Sequence, residues 1–191
     1  MIFRKAVKSV YVGVLIFLIF FSAIKSPAQQ ANSNESSFKT KKGARAFWVQ
    51  GGLGFASANI NYDYHPSDFM HLELNGHFRR DHKLYSAGWD AQETDCWGID
   101  TFWGAYGRSL YGRWGEVAIS GGIGLLRWYY HTESDRGTIY SPTVPSLIIK
   151  AQGIAHLPQA VGCGFVFTIN LSWEATYIAF STVVALGGWN W

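Results

Sequence analysis

One stretch of the sequence, residues 116–131, constrains the fold more than any other. Every second residue along it is apolar or lacks a side chain, in the order Val117, Ile119, Gly121, Ile123 and Leu125. The residues between them are small or polar, in the order Glu116, Ala118, Ser120, Gly122 and Gly124. A period of two residues is typical of a β-strand whose two faces meet different surroundings. The stretch ends in Trp128, Tyr129 and Tyr130, amphipathic rings that favour a boundary between an apolar phase and water. We therefore predict a strand of a membrane-embedded sheet.

The first 28 residues have the composition of a cleaved export signal. Three basic residues precede a nearly unbroken apolar run over residues 10–24, and the small residues Ser26 and Ala28 follow it where a signal peptidase requires them. A retained membrane anchor is the competing interpretation, but the run is short for a spanning helix. We predict a signal peptide over residues 1–28 and a flexible polar tail over residues 29–43.

Removal of this signal changes the charge balance. The whole chain has 16 basic and 13 acidic residues, a formal net charge of +3. The signal holds four of the basic residues and none of the acidic ones, so 12 basic residues remain against 13 acidic. A chain so close to neutral does not favour binding to nucleic acid.

Residues 44–191 are predicted to form one domain, an all-β, antiparallel, up-and-down transmembrane β-barrel of about eight strands. No run within them approaches the roughly 20 apolar residues of a spanning helix. Abundant Trp and Gly and sparse Pro, at 9, 21 and 5 residues in the whole chain, suit barrel strands that alternate apolar and polar residues. The strand candidates are residues 45–57, 68–79, 82–91, 97–108, 116–131, 146–156, 161–170 and 174–191.

Two of these candidates have an irregular side-chain pattern. The pattern of residues 82–91 is weak, and the last candidate changes parity, which a bulge at residues 187–188 would explain. Polar segments rich in turn formers predict longer loops at residues 59–67 and 132–145. The remaining connections are short.

The signal peptide, the alternating strands and the aromatic C-terminus together resemble small outer-membrane β-barrel proteins of Gram-negative bacteria. In that family a final strand ending in Phe or Trp is read by the barrel-assembly machinery. The resemblance implies that Trp191 is an assembly signal, and that the assembly machinery, periplasmic chaperones and outer-membrane lipid are partners. It implies insertion into the cell outer membrane and no particular activity.

Eight strands enclose a space that side chains alone can fill. We predict a polar network inside the barrel, with both signs of charge so that buried charges are paired. Its members are His71, Glu73, Asn75, His77, Asp100, Arg108, Glu116, Lys150 and Gln152. The alternating polar residues over 71–77 could instead hold a metal or a general base. No third ligand or nucleophile follows at a diagnostic spacing, so we predict no catalytic residue, metal or cofactor.

Aromatic side chains near the strand ends are predicted to form girdles at the two bilayer interfaces. These residues are Trp89, Trp97, Trp103, Trp128, Tyr129, Tyr130, Trp173 and Trp189. For those at the outer ends, a carbohydrate-stacking surface is the competing interpretation.

Three functions remain open at this stage. The favoured one is a non-enzymatic outer-membrane protein with a structural or surface-interaction role through the loops at residues 59–67 and 132–145, its ligand unspecified. The second is an enzyme that modifies lipid A or phospholipid, since residues 131–135 contain a His, hydroxyls and carboxylates. The third is a secreted soluble β-sandwich or lipocalin-like binder.

Overall fold

The computed structural model describes residues 44–60, 63–94, 96–112, 114–131, 137–157 and 160–189, with only the backbone for residues 63–68 and Trp189. The predicted signal peptide, the predicted tail and Trp191 lie outside these residues. The described residues form nine β-strands: β1 (Arg45–Ile60), β2 (Asp63–Arg80), β3 (Lys83–Glu93), β4 (Trp97–Gly112), β5 (Gly115–His131), β6 (Thr138–Tyr140), β7 (Val144–His156), β8 (Val161–Leu171) and β9 (Ala175–Trp189). Among the described residues, no helix is long and apolar enough to cross a membrane.

Eight of the strands close into an antiparallel barrel. Each long strand pairs with the next long strand along the chain, and these pairs include β4 with β5. The pairing of β9 with β1 closes the ring. The short β6 pairs only with the end of β5, at residues 129–131, beyond the part of β5 that pairs with β7. The predicted up-and-down barrel of about eight strands is confirmed, and the weakly patterned third candidate is a true strand of 11 residues.

One end of the barrel carries the short turns after β2, β4 and β7, and we call it the short-turn end. Backbone hydrogen bonds tie each turn to the neighbouring strand there. Asp81 N donates to Ala44 O at 2.9 Å, and Ser109 N donates to His82 O at 3.0 Å. Equivalent bonds join the turns after β4 and β7 to residues 156 and 187. We call the opposite end the rim.

The prediction of a long loop over residues 59–67 is wrong. β1 and β2 continue as paired strands to Ile60 and Asp63, so only residues 61–62, outside the described residues, connect them. The strands therefore have 16 and 18 residues, whereas about 9–11 suffice to cross a bilayer. In the second predicted loop, residues 138–140 form β6 and β7 begins at Val144, while residues 132–136 are outside the described part.

Apolar side chains cover the outside of the barrel. The exposed ones include Phe47, Leu53, Phe55, Leu74, Phe102, Ile119, Ile123, Leu147, Val184 and Leu186. Polar and charged side chains are buried on the opposite parity. The register of β9 against β1 runs without interruption to Trp189, so the bulge expected at residues 187–188 is wrong.

Candidate functional site

A buried ion-pair cluster occupies the middle of the barrel interior. The Lys150 ammonium on β7 donates to Glu73 Oε2 on β2 at 2.8 Å and to Asp90 Oδ1 on β3 at 2.9 Å. Asn75 Nδ2 donates to the same Glu73 oxygen at 3.0 Å, and the Tyr177 hydroxyl donates to Asp90 Oδ2 at 3.2 Å. All five side chains are buried. Because one ammonium bridges two carboxylates from different strands, the cluster ties opposite walls of the barrel together.

The same cluster contains three groups that could in principle hold a metal ion. His71, Glu73 and Asp90 each offer one ligand atom, and these atoms lie within 4.8 Å of one another. The Lys150 ammonium, however, already bonds both carboxylates, and a divalent cation would have to displace it. Both carboxylates therefore already share the Lys150 ammonium, and Gln92 Nε2 lies 2.9 Å from His71 Nδ1.

A second charged cluster lies nearer the short-turn end. Arg79 on β2 forms a fully buried ion pair with Glu116 on β5. The Arg79 guanidinium also lies over the Tyr111 ring, 3.5 Å from its centroid. Close by, Trp48 stacks on His77 with ring centroids 4.8 Å apart. The interior of the barrel therefore contains a second buried ion pair at this level.

Apolar side chains fill the interior on the rim side of the Lys150 cluster and around the Arg79–Glu116 pair. Toward the rim they are Ala56, Ala58, Phe69, Ile99, Leu126, Val144, Ala175, Tyr177 and Ala179. Toward the short-turn end they are Ala46, Trp48, Leu84, Ala118, Ile154 and Ala185. The interior is therefore a layered core of packed side chains, and this arrangement suits a structural barrel better than a conduit.

Most of the residues predicted for the polar network lie inside the barrel. Those buried there are His71, Glu73, Asn75, His77, Glu116, Lys150 and Gln152. Asp100 and Arg108 are not among them, because the parity expected for β4 is wrong. Arg108 is exposed on the outside, and Asp100 forms an outward ion pair with Arg127 at 3.4 Å.

The reversed parity of β4 also moves two Trp residues. Trp103 was expected at an interface, but it is buried inside, where the Lys150 ammonium lies 4.2 Å from its ring centroid. Trp97 shares this inward parity and contacts Trp128 and Tyr130, with ring centroids 5.3 and 4.7 Å away. Trp97 and Trp128 pack against the apolar core at the rim. These rings therefore lie at the rim end of the barrel interior and do not form an outer girdle.

The other predicted interfacial aromatics occupy varied places. Trp89 lies on the outward parity of β3 between Leu74 and Phe102, among apolar residues and away from the strand ends. Trp173 is exposed in the connection between β8 and β9. The backbone of Trp189 pairs with Ala46 at the short-turn end. An interfacial role for Trp173 and Trp189 stays a prediction.

Several interior residues were missed at the sequence level, chief among them Asp90, Arg79, Gln92 and Tyr177. The signal for two of them was available. Tyr85, Ala87 and Trp89 set the outward parity of β3, and the alternate parity from there places Asp90 and Gln92 inside. Because the overall alternation of β3 is weak, the inward position of these two residues was not predicted.

Gly88 offers a test of how tightly this network is packed. A Cβ there would overlap Asn75 Oδ1 and lie 2.8 Å from the Leu74 carbonyl oxygen and 2.9 Å from the Trp103 ring. We expect Gly88→Ala to lower the free energy of unfolding by about 1–3 kcal/mol, because the backbone contact cannot move aside. Urea unfolding of the barrel in lipid vesicles, followed by Trp fluorescence, measures the change.

The matched control is Gly104→Ala on the neighbouring strand. A Cβ at Gly104 meets nothing within 4 Å among the described residues, so a change of no more than about 0.5 kcal/mol is expected. Equal effects of the two substitutions would contradict the packing described for Gly88.

The rim carries a polar and aromatic patch on its outward side, which we call the rim patch: Asp100, Arg127, Tyr129, His131 and Tyr140. The Arg127 guanidinium lies 4.8 Å from the Tyr140 ring centroid, and the Tyr129 and Tyr140 centroids are 5.7 Å apart. The His131 ring lies 5.3 Å from that of Tyr129. The Tyr129 ring also covers Gly98, where a side chain would collide with it.

Comparison with known proteins places this geometry among membrane barrels. No protein-family model matches the chain, and no curated protein matches its sequence. Among solved structures, Neisserial surface protein A matches with a TM-score of 0.63 at 10% identity, covering 74% of this chain and 97% of the other. The chain has the fold of the small outer-membrane β-barrels.

Two more outer-membrane β-barrels share this architecture. The attachment invasion locus protein Ail of Yersinia pestis matches with a TM-score of 0.57 at 7% identity, covering 77% of this chain and 99% of Ail. The N-terminal β-barrel domain of Pseudomonas aeruginosa OprF matches with a TM-score of 0.52 at 6% identity, covering 76% and 98%. At these identities the likeness concerns the fold alone.

Proposed function

We propose that this chain is an integral protein of the cell outer membrane, without enzymatic activity, that acts through the rim patch as a structural or surface-interaction protein. The observation that carries the proposal is the inverted distribution of side chains. Ile123 and Phe55 are 71% and 75% exposed on the outside, whereas Lys150, Glu73 and Asp90 are buried inside. A barrel surface of this kind is suited to hydrocarbon.

The same distribution counts against a soluble binder. A lipocalin-like protein would present polar residues to water and keep an apolar cavity for its ligand. Here the interior centres on a Lys150 ion-pair cluster, and contiguous apolar strand faces of this extent on a water-soluble monomer would promote association. A closed eight-stranded barrel also differs from a sandwich of two sheets.

With the interior filled, accessible polar side chains lie at the two ends of the barrel, and the rim combines charged and aromatic groups. β4 and β5 are 16 and 17 residues long, more than a bilayer crossing requires, and they carry the rim patch. Tyr and Arg side chains are enriched at protein interfaces, and the rim patch supplies both beside a carboxylate. The names of two structural neighbours, a surface protein and an attachment invasion locus protein, agree with a role at this end.

The alternative of a lipid-modifying enzyme has less support. His131 Nδ1 lies 3.2 Å from Thr138 Oγ1, and His131 Nε2 lies 3.9 Å from Glu93 Oε1. Nδ1 therefore faces a side chain of the short β6, and Nε2 faces the last residue of β3. The remaining candidates of this stretch, Glu133 among them, lie outside the described residues.

Biogenesis forms part of the proposal. A protein of this class would require periplasmic chaperones, the barrel-assembly machinery and outer-membrane lipid. β9 pairs with both β8 and β1 and so closes the ring, and the proposed assembly signal Trp191 follows it in the sequence. No nucleic-acid partner is proposed.

Heat-modifiable gel migration of the protein in washed outer membranes tests the proposal. We expect a folded form that resists detergent until it is boiled and then changes mobility. Lipid A extracted from the same cells should match that from cells carrying an empty vector. A protein found soluble in the periplasm or medium would contradict the membrane assignment, and an altered lipid A pattern would contradict the absence of enzymatic activity.

A further inference from the structure

Four basic residues form a row on the outside of the barrel near the short-turn end. Arg45, Arg80, Lys83 and Arg108 lie on β1, β2, β3 and β4, and all four are exposed on the outward parity. The register pairs each with the next: Arg45 with Arg80, Arg80 with Lys83, and Lys83 with Arg108. Directly opposed residues on one face of a sheet have Cβ atoms roughly 5 Å apart. We call this set the cationic row.

The cationic row has no ion-pair partner among the residues that the structure describes, and the nearest acidic residue in sequence is Asp81, in the turn between Arg80 and Lys83. None of its four members forms an ion pair or a side-chain hydrogen bond within that part of the chain. Like charges placed directly opposite one another destabilise a sheet. Four adjacent cations without partners therefore point to an anionic group from outside the barrel.

An aromatic row runs beside the cationic row, one outward residue closer to the middle of the strands. It consists of Phe47, Phe78, Tyr85 and Tyr106. Phe47 pairs with Phe78, and the ring centroids of Phe78 and Tyr85 and of Tyr85 and Tyr106 are 6.2 and 5.3 Å apart. Aromatic belts of this kind mark the level where hydrocarbon gives way to lipid headgroups. The cationic row therefore lies on the headgroup side of that level.

The row is confined to one half of the barrel. Near the short-turn end, the outward residues of the other strands are uncharged, with Val117 on β5, Ala155 on β7, Cys163 on β8 and Leu186 on β9. Arg108 lies deepest of the four cations, since Leu110 follows it on the same face. A long Arg side chain can extend along apolar surface and keep its charge among the headgroups.

We propose that the cationic row binds the phosphate groups of anionic phospholipids in the leaflet that meets the short-turn end. The inference rests on the proposed insertion into a membrane. Arg side chains can form paired hydrogen bonds with phosphate oxygens, and Lys83 adds a further charge between two of them. The acyl chains of such a lipid would lie along the aromatic row and the apolar strand faces beyond it. Charge complementarity and continuity with that apolar surface select a lipid as the occupant.

Lipid retention measured by native mass spectrometry tests this assignment. The full mature chain is folded into discs of phosphatidylcholine alone, or of phosphatidylcholine with phosphatidylglycerol of the same acyl chains. We expect the protein to carry phosphatidylglycerol preferentially, and the double variant Arg80→Gln/Lys83→Gln to reduce that preference by about fivefold for each cation removed. Arg127→Gln, which removes an exposed cation at the rim, is the matched control and should leave the preference unchanged.

Heat-modifiable migration of each sample separates failure of this inference from failure of the proposed function. A folded, inserted barrel that retains both lipids equally, or a double variant that keeps the full preference, would overturn the cationic row as a lipid site and leave membrane insertion intact. A wild-type chain that does not fold in the discs would overturn both. Displacement of the lipid by inorganic phosphate alone, or a loss that follows Arg127→Gln, would also contradict the assignment.

Discussion

Lys150→Met is expected to lower the free energy of unfolding by about 3–5 kcal/mol. The substitution removes the cation that lies 2.8 and 2.9 Å from Glu73 and Asp90, while keeping an unbranched side chain of similar length. Two carboxylates then remain buried within reach of each other without a counter-charge, and ionising both becomes unfavourable. Urea unfolding in lipid vesicles, with the fraction of detergent-resistant barrel read on gels, measures the change.

The triple variant Lys150→Met/Glu73→Gln/Asp90→Asn separates this electrostatic effect from lost packing. Because it removes all three charges together, we expect it to recover most of the stability. Arg127→Gln breaks the half-exposed pair with Asp100 and should change stability by less than about 1 kcal/mol. A Lys150→Met barrel as stable as the wild type would mean that the central ion pair contributes nothing.

Ile123→Arg is expected to lower the free energy of unfolding in lipid by about 2–4 kcal/mol, and Ile119→Arg by less, because Ile119 pairs with Arg108 of the cationic row and lies closer to the headgroups. Both side chains are largely exposed on the outward parity of β5, with Ile123 at its midpoint and Ile119 four residues closer to the short-turn end. A charge placed at the midpoint meets hydrocarbon at the depth where neither water nor headgroups can solvate it. Urea unfolding titrations in vesicles compare the two variants with the wild type.

Leu157→Arg provides the control, because Leu157 lies in the β7–β8 turn and outside the strands. Near the interface the expected change is only about 0–1 kcal/mol. If the two Ile substitutions were as mild as the turn substitution, the outward face of β5 would not contact lipid.

The alternation of most strands was sufficient to predict the barrel, since a two-residue period admits only two orientations. On β2 the apolar residues Met70, Leu72 and Leu74 alternate with polar ones, so the sequence alone predicts that His71 and Glu73 lie inside, and both are buried there. Strand alternation encodes the fold because one face of each strand must contact lipid, whereas the polar face must be kept away from it.

β4 shows where this reasoning fails. Both of its parities carry large aromatic rings, with Trp97 and Trp103 on one and Phe102 and Tyr106 on the other, so hydrophobicity could not decide between them. Asp100 and Arg108 then suggested an interior face, because charges were expected inside. They are outside, near the two ends of the strand, where long or paired charged side chains can reach water or headgroups.

Loop lengths were harder to predict for a related reason. Turn-forming polar residues over 59–67 predict a loop, yet β1 and β2 extend to Ile60 and Asp63, which pair with each other beyond a register irregularity between Ala58 and Ile60. Backbone hydrogen bonds between strands can continue beyond the bilayer, where both faces of the sheet meet water and no alternation is required. Beyond the bilayer, the side-chain pattern therefore no longer indicates a strand.

The central ion pair has a consequence for the order of events during assembly. Lys150 and Glu73 are 77 residues apart in sequence, and they sit on strands that do not pair with each other. A partly built sheet of β2 and β3 would therefore hold Glu73 and Asp90 without their cation. Until β7 arrives, those carboxylates must stay in contact with water, because hydrocarbon cannot solvate them. Closure of the ring and insertion into lipid are consequently coupled in this barrel, so neither step can be completed long before the other.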